Sequence, residues 1–244
     1  MVAFPPPKHG PKGVTLLYED ADILVVDKPS GLLTMGTERD KSRTVHSILN
    51  DYVRKGNPKS RNRAYIVHRL DRDTSGVLLF AKSEHAKLFL QSNWENTTKN
   101  YLALVFGQLS PPQGTISSYL VENAAFTVYS TPDPTKGKLS QTAYTLVKEQ
   151  KGLSLLHICL LTGRKHQIRV HFSEKGHPVV GDRKYGSNHG SYPNLALHAR
   201  SISFIHPVSG AQLSFQTKIP QLFTRLVGSF ELPEIGTSTG TSRT

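Results

Sequence analysis

Residues 68–76 read His68-Arg69-Leu70-Asp71-Arg72-Asp73-Thr74-Ser75-Gly76 and lie between two short apolar segments, residues 65–67 and 77–81. Apolar runs of this length, bounded by polar residues and glycine, are typical of strands. Nearly every residue of the connecting loop carries an ionisable or hydroxyl side chain. Loops held between rigid strands commonly carry the residues that bind and react. This loop is therefore the first candidate for a functional site.

Asp71 stands between two arginines, Arg69 and Arg72. Positive charges close to a carboxylate favour its ionised form, and they also attract phosphate. An ionised carboxylate in a basic pocket can act as a nucleophile or a base toward a nucleic-acid substrate. The composition alone fits a simpler interpretation equally well, namely a surface turn whose charges form ion pairs.

Two metal-dependent interpretations of the loop can be compared with the sequence. Asp71 and Asp73 match the opening of a calcium-binding loop, but Lys82 occupies the position of its closing glutamate, which argues against calcium. The same pair resembles the nucleophile motif of magnesium-dependent phosphotransferases. That motif follows an unbroken apolar strand, which His68 and Arg69 interrupt here. The phosphotransferase remains a minor alternative.

Further strands and helices are predicted on both sides of the loop. Apolar or alternating runs predict strands at residues 14–18, 23–27, 65–67, 77–81, 101–106, 115–121, 142–148, 153–161, 195–204 and 212–217. Helical spacing predicts helices at residues 45–53, 83–94 and 164–175, the last two opened by Ser83 and Thr162. Short turns join many of the strands, so we expect an α+β protein with a mixed, largely antiparallel central sheet and flanking helices.

The chain divides into three parts by composition. Residues 1–13 contain consecutive prolines and lysines and predict a flexible, basic, proline-rich arm. Residues 14–231 show no internal repeat and no long linker, which predicts a single domain. Residues 232–244 are mostly glycine, serine and threonine, and we expect them to be disordered.

Charge and cysteine content restrict the class of protein. The 244 residues include 30 Lys and Arg against 18 Asp and Glu, a net charge of +12 that favours a polyanionic partner such as nucleic acid. The single cysteine, Cys159, excludes a disulfide scaffold and cysteine-rich zinc sites. Neither a membrane-spanning apolar run nor a secretory signal is evident, so we expect a cytoplasmic protein that binds no membrane.

The loop and four further motifs together resemble the signature of the RluA-type RNA pseudouridine synthases. That family carries His-Arg-Leu-Asp followed by Thr-Ser-Gly and an apolar strand, as residues 68–81 do here. The other motifs follow in the family's order: Val25-Val26-Asp27-Lys28-Pro29-Ser30-Gly31, Lys99-Asn100-Tyr101, Thr162-Gly163-Arg164-Lys165-His166-Gln167-Ile168-Arg169-Val170-His171, and Gly176-His177-Pro178 with Gly181-Asp182-Arg183-Lys184-Tyr185-Gly186. The resemblance covers roughly residues 14–228.

The resemblance implies a pseudouridine-synthase-like catalytic domain and a reaction on uridine already present in RNA. The glycosidic bond breaks, the uracil turns, and it rejoins the sugar through carbon 5. The resemblance assigns Asp71 as the catalytic carboxylate, Tyr101 as the ring that stacks on uracil, with a hydroxyl able to help remove the carbon-5 proton, and Arg169 as the cation paired with Asp71. Strand alternation agrees for Tyr101, since it places this side chain opposite Leu102 and Leu104.

The resemblance also suggests how RNA is held. Arg69 would fill the space left when the target base is extruded. Arg164 and Lys165 are the better candidates for phosphate contacts. Asp73 sits where the family reserves no acid, so we interpret it as a loop residue. Lys28 and Asp182 are expected to shape the structure or the substrate site.

Cofactor and partner expectations follow from the chemistry. An internal isomerisation carries no group and no electrons, so we expect no nucleotide cofactor, no other cofactor and no metal. The expected partner is a structured RNA, either ribosomal or transfer RNA, bound by a monomer without the extra N-terminal RNA-binding domain of larger relatives. An RNA-binding assembly factor that has lost catalysis is the alternative from a different class of protein.

Overall fold

A computed structural model of the chain describes residues 10–36, 43–186 and 192–232. Most of the predicted arm, residues 1–9, and nearly all of the predicted tail, residues 233–244, lie outside the described residues. At the described end of the arm, Pro11 is buried and the carbonyl of Lys12 accepts a hydrogen bond from Arg43 at 2.6 Å. No helix among the described residues is long and apolar enough to cross a membrane.

Strands dominate the described part of the chain. They are β1 (Thr15–Glu19), β2 (Ile23–Lys28), β3 (Tyr65–Ile66), β4 (Ser75–Ala81), β5 (Thr98–Phe106), β6 (Gln113–Glu122), β7 (Val128–Thr131), β8 (Lys138–Gln150), β9 (Leu153–Leu160), β10 (Leu197–Ile205) and β11 (Gln212–Gln216). The α-helices are α1 (Val45–Arg54), α2 (Glu84–Ser92), α3 (Gln167–Glu174) and α4 (Gln221–Val227). The predicted α+β class is confirmed.

All of these strands join one sheet. Its order is β1-β2-β4-β10-β5-β9-β8-β6-β7, with β3 added to β4 and β11 added to β10. Every neighbouring pair is antiparallel except β4 with β10, which is parallel. The predicted mixed, largely antiparallel sheet is therefore confirmed.

The parallel pair is a narrow seam between two leaves of the sheet. The first leaf holds β1 to β4 with α1 and α2, and the second holds β5 to β11 with α3 and α4. The strand pairing between the leaves is short: His198 pairs with Ser75, and Ala199 with Gly76. Ser75 Oγ also lies 2.8 Å from His198 Nδ1, and Thr217 Oγ1 lies 2.8 Å from His198 Nε2.

Gly76 is the closest point of this seam. Its φ is +115°, a region that L side chains rarely adopt, and a Cβ at this position would lie 2.2 Å from the carbonyl oxygen of Ala199. The seam also determines which residue lies on the far side of β10, because Ala199 pairs there with Tyr101 of β5. Residues 68–74, called the Asp71 loop below, run directly into β4. The seam therefore brings this loop beside Tyr101.

The second leaf has a hydrophobic layer on each face. Ala103 and Val105 of β5 belong to the same cluster as Ile168 and Phe172 of α3, and Tyr101 packs against it. On the opposite face, Leu102 and Leu104 belong to the cluster that includes Phe223 and Val227 of α4. The alternation predicted for residues 101–106 is confirmed. The face that carries Tyr101 is the face that α3 covers.

One predicted helix needs correction, and two short elements were not predicted. The helix predicted from residue 164 begins at Gln167, because the side chain of Gln167 instead holds the preceding residues as a loop: its Oε1 accepts from Arg164 N at 2.9 Å and from Thr162 Oγ1 at 2.8 Å. The helix starts after His166, whose φ of 55° is left-handed. Strand β7 and helix α4 were not predicted. They are only 4 and 7 residues long, and Pro220 provides α4 with no capping side chain.

We predict that Gly76→Ala lowers the free energy of unfolding by at least about 3 kcal/mol, because the added methyl group collides with the backbone of Ala199 in a strained region of φ. Urea denaturation measures this change. The matched control is Gly152→Ala, since Gly152 has a φ of +73° but open space around its Cβ direction. The control should cost only about 1 kcal/mol. Equal losses in the two variants would contradict a steric role for the seam.

Candidate active site

The Asp71 loop is held from below by a buried lysine. The Nζ of Lys28, at the end of β2, donates hydrogen bonds to the carbonyls of Pro29 at 3.0 Å, Leu32 at 2.7 Å and Arg72 at 2.8 Å. Its side chain is fully buried. The backbone N–H of Gly31 donates to the same Arg72 carbonyl at 2.9 Å. All three protons of the ammonium group are thereby used to fix the turn after β2 against the loop.

Two hydroxyl groups in the residues that follow β2 also hold the Asp71 loop. Thr34 Oγ1 donates to the carbonyl of Leu70 at 2.8 Å and accepts from its N–H at 3.1 Å. Ser30 Oγ donates to the carbonyl of Asp73 at 2.8 Å. Backbone groups before and after Asp71 are therefore fixed by partners some 40 residues away in sequence, as the separations of 36 and 43 residues show.

The charge of Lys28 depends on this environment. Burial lowers the pKa of Lys28 to about 8, and the negative charges of Asp73, Asp71 and Asp27 limit the decrease. The ammonium form therefore still prevails at neutral pH, although with a small margin. It places a positive charge beneath the loop that carries Asp71.

His68 fixes the beginning of the loop. Its Nε2 accepts the backbone N–H of Leu79 in β4 at 3.0 Å, and its ring lies 4.5 Å from that of Trp94. Burial, with a smaller effect from the charge of Lys99, lowers the pKa of His68 to about 3. His68 is therefore neutral and shapes the loop.

Arg169 links two carboxylates across the cleft. Its Nη1 donates to Asp71 Oδ2 at 3.0 Å, while its Nε and Nη2 donate to the two oxygens of Asp182 at 2.8 and 2.9 Å. The bidentate pair with Asp182 fixes the plane of the guanidinium. Asp182 in turn accepts the backbone N–H groups of Lys184 and Tyr185 at 2.9 and 3.1 Å. The direction from which Arg169 approaches Asp71 is thus determined by a second, buried carboxylate.

The protonation states in this group are fixed by the same contacts. Burial opposes the charge of Arg169, but the hydrogen bonds and charge of Asp182, followed by those of Asp71, hold its pKa above the ordinary value. Burial also opposes ionisation of Asp182, yet the bonds to Arg169 and the backbone N–H groups keep the pKa of Asp182 below its ordinary value. Both groups are therefore charged at neutral pH.

His166 faces the other oxygen of Asp71. Tyr185 Oη accepts the N–H of Val128 at 3.1 Å and lies 2.8 Å from His166 Nδ1. When the hydroxyl of Tyr185 donates to Nδ1, the imidazole proton lies on Nε2. That atom lies 3.8 Å from Asp71 Oδ1. Burial, only partly offset by Asp71, lowers the pKa of His166 to about 4, so it is a neutral donor directed into the cleft.

Tyr101 presents a neutral phenol to the cleft. It is half-buried, and burial followed by the negative charge of Asp71 raises the pKa of Tyr101 above its ordinary value. A phenolate base is therefore disfavoured at this position. The ring can stack on a base, and the hydroxyl can donate a hydrogen bond or relay a proton.

The structure brings five of the six predicted site residues to one cleft. Its lining includes Asp71, Tyr101, Arg69, Arg164 and Arg169. Arg69 and Arg164 are exposed, and within the described residues no group pairs with the guanidinium of Arg69. The sixth residue, Lys165, lies on the rim, where it pairs with Glu122. The sequence interpretation missed His166 and Gln167 as lining residues; both lie inside the Thr162–His171 motif, the only signal that could have found them.

One group of potential metal ligands occurs among the described residues, at Asp20, Asp22 and His206. His206 Nδ1 accepts the N–H groups of Val208 and Ser209, so its Nε2 donates to Asp20 at 2.9 Å. The other oxygen of Asp20 accepts the N–H groups of Asp22 and the following residue, each at 2.8 Å. These atoms are engaged within the protein, and we assign no metal to them.

Comparison with known proteins identifies the family. Residues 22–174 match the family described as RNA pseudouridylate synthase. An uncharacterized RNA pseudouridine synthase of Mycoplasma pneumoniae is 36% identical over 227 residues, covering 89% of this chain and 70% of that protein. Ribosomal large subunit pseudouridine synthase D of Zymomonas mobilis is 34% identical over 237 residues, covering 90% and 74%.

Solved structures agree on the fold. Human RNA Pseudouridylate Synthase Domain Containing 1 is 26% identical with a TM-score of 0.72, covering 94% of each chain. Human RNA Pseudouridylate Synthase Domain Containing 4 is 22% identical with a TM-score of 0.74, covering 90% of this chain and 94% of that one. The class is thus that of isomerases that convert uridine in RNA to pseudouridine. The chain belongs to the RNA pseudouridylate synthase family, as its motifs predicted.

We predict that the protein loses stability as pH falls from about 6.5 to about 4. Burial is the main cause that lowers the pKa of His68 to about 3 and those of His166, His171 and His198 to about 4. Unfolded histidines bind protons near pH 6.5, so the unfolded state binds more protons in this window and acid favours it. Asp27 has the opposite effect. Burial raises the pKa of Asp27 to about 6, so below this pH the folded state binds one proton that the unfolded state still lacks.

Urea denaturation at a series of pH values measures this dependence. The His166→Gln variant should show a shallower slope, by up to about 1.4 kcal/mol per pH unit, because it removes one of the titrating groups. A free energy of unfolding that stays constant or rises on acidification would contradict the prediction.

Proposed function

We propose that the protein converts specific uridines of a structured RNA, ribosomal or transfer RNA, into pseudouridine, with Asp71 as the catalytic carboxylate. The observation that carries this proposal is the 3.0 Å contact from Arg169 Nη1 to Asp71 Oδ2, in a cleft that Tyr101 also lines. Arg169 pairs with the carboxylate of Asp71 and orients it. The contact uses Oδ2, which leaves Oδ1 to face the substrate beside His166.

The reaction needs few protein groups, because it is an isomerisation. The target uridine is extruded from the RNA and enters the cleft. The glycosidic bond from the sugar to N1 of uracil breaks, the uracil turns, and carbon 5 forms the new bond to the sugar. The proton on carbon 5 leaves and N1 gains one, so the atoms balance without a redox step. Asp71 either attacks the sugar carbon or removes the proton on the neighbouring carbon, and both roles require its ionised form.

Tyr101 and His166 have complementary tasks in this proposal. The Tyr101 ring stacks on the turned uracil, and its neutral hydroxyl relays the carbon-5 proton instead of acting as a standing phenolate base. The Nε2–H of His166 offers a hydrogen bond to the uracil or the ribose next to Asp71. This donor would hold the detached base in the cleft between bond cleavage and reattachment.

The charge distribution supports RNA as the substrate. The chain carries a net charge of +12. Arg69, exposed in the cleft and without a partner among the described residues, is suited to fill the space of the extruded base. Arg164 at the cleft and Lys165 on the rim are suited to phosphate. The name of the Zymomonas mobilis relative makes large-subunit ribosomal RNA the first substrate to test. We further propose that the protein acts as a cytoplasmic monomer without a nucleotide cofactor.

We predict that Asp71→Asn abolishes turnover while leaving folding and RNA binding nearly unchanged, because asparagine keeps the shape of the side chain and loses its charge. Tritium release from RNA labelled at carbon 5 of uridine measures turnover. Asp73→Asn is the matched control, since Asp73 lies in the same loop with an exposed side chain. Release by Asp71→Asn at the wild-type rate would disprove the catalytic assignment. Binding without release by the wild type, on pooled ribosomal and transfer RNA, would favour the assembly factor.

We predict that Arg164→Gln weakens binding to all RNAs alike and lowers the slope of log affinity against log salt concentration by about 0.7 to 0.9, the loss of one phosphate contact. The control is Lys151→Gln, which removes an exposed charge at the β8–β9 turn, the opposite end of β9 from the cleft residue Leu160. A slope unchanged within error for Arg164→Gln, or an equal change in the control, would reject this phosphate contact.

A further inference from the structure

The turn between β6 and β7 presents an aromatic ring to solvent. The turn comprises residues 123–127, and the Phe126 side chain is among the most exposed large hydrophobic groups, at 56%. Its φ of 58° is left-handed, a conformation that costs a non-glycine residue about 1 to 2 kcal/mol. Asn123 stabilises the turn: its Oδ1 accepts the N–H groups of Ala125 and Thr127, each at 3.0 Å. The turn is therefore well defined and directs the ring outward.

The same turn is attached to the rim of the cleft. Lys184 Nζ donates to the carbonyl of Phe126 at 2.6 Å, and Lys165 Nζ lies 5.5 Å from the centre of its ring. Lys184 Nζ also lies 5.8 Å from the centre of the Tyr185 ring. Tyr185 is hydrogen-bonded to His166, which faces Asp71. A short chain of contacts through Lys184, Tyr185 and His166 therefore links Phe126 to the carboxylate of Asp71.

The charge around the ring is mostly positive. Lys165 and Lys184 both contact Phe126, and the exposed Arg164 lies next to Lys165 in sequence. Glu122 is the opposing group, because it forms an ion pair with Lys165. This pair is about one-third exposed on each side. A phosphate can therefore replace the carboxylate as the partner of Lys165 without opening the core.

We propose that Phe126, Lys165 and Lys184 form a subsite for an unpaired nucleobase of the substrate RNA next to the target uridine. The base stacks on the Phe126 ring, and the two lysines neutralise the phosphates on either side of it. Aromatic rings and lysines in this arrangement are how proteins hold single-stranded RNA without reading a particular base. Because this subsite serves the same RNA as the cleft, the inference rests on the proposed function.

The subsite would select the shape of the substrate. A base can reach Phe126 only if the nucleotides near the target are unpaired or easily opened. The subsite therefore favours uridines in loops over uridines inside a continuous duplex. It would also hold the RNA in register while the target base turns within the cleft.

Stacking is tested by fluorescence of a hairpin RNA that carries 2-aminopurine in its loop next to a uridine, since stacking quenches this base. Phe126→Ala should weaken binding by about 5- to 150-fold, remove the quenching and leave the salt slope unchanged. Phe126→Trp should restore both affinity and quenching. Tyr129→Ala is the matched control: Tyr129 is an exposed aromatic residue on the neighbouring strand β7, and its loss should change affinity less than twofold.

Lys165→Gln separates charge from stacking. It should lower the salt slope by about 0.7 to 0.9 and retain the quenching. The subsite is refuted by wild-type quenching in Phe126→Ala, by no quenching in the wild type, or by a Phe126→Ala variant that loses salt slope as Lys165→Gln does. Thermal unfolding of each variant checks the fold, and the Phe126→Trp variant keeps the test valid if alanine destabilises the turn. Tritium release is measured separately, so failure of the proposed function is distinguished from failure of the subsite.

Discussion

The approach of Gly76 to the backbone of Ala199 is the constraint on which this structure depends. The two leaves of the sheet share only two residue pairs of strand pairing, and a side chain at Gly76 would occupy the position of the Ala199 carbonyl. On one side of this contact the chain leaves the Asp71 loop, and on the other side Ala199 pairs with Tyr101. The spacing of the two backbone segments that carry Asp71 and Tyr101 is thus set by backbone packing at this contact.

Buried charge prepares the site before any substrate arrives. Lys28, Arg169 and Asp182 would each be costly to bury alone, and each is stabilised by at least three hydrogen bonds. These hydrogen bonds offset the cost of desolvating the three charges. Arg169 and Lys28 then hold Asp71 and its loop in place, so the carboxylate needs little reorganisation when the substrate enters. Preorganised charge of this kind is a common source of catalytic rate enhancement. The neutral His166 and Tyr101 add hydrogen-bond donors without adding further charge.

The sequence predicted most strands and five of the residues that line the cleft, because apolar alternation and ordered motifs are local signals that the fold obeys. Prediction from the sequence failed where long-range contacts determine where an element begins or whether it forms. The start of α3 is displaced to Gln167, because Nε2 of this side chain donates to Gln141 O and Thr142 Oγ1 of β8 while its Oε1 holds the preceding residues as a loop. The left-handed backbone of His166 has no local signature. Helix α4 is stabilised by packing on Leu102 and Leu104, which a seven-residue window does not contain.

The division of the sheet into two leaves also divides the residues of the proposed site between two parts of the chain. Asp71 and Arg69 belong to the first leaf, whereas Tyr101, Arg164 and Arg169 belong to the second. Neither half of the polypeptide holds the whole proposed site. A truncated chain that lacks either leaf would therefore lack part of the proposed catalytic set and could not carry out the proposed reaction. These residues meet in one cleft only in a chain in which β4 pairs with β10.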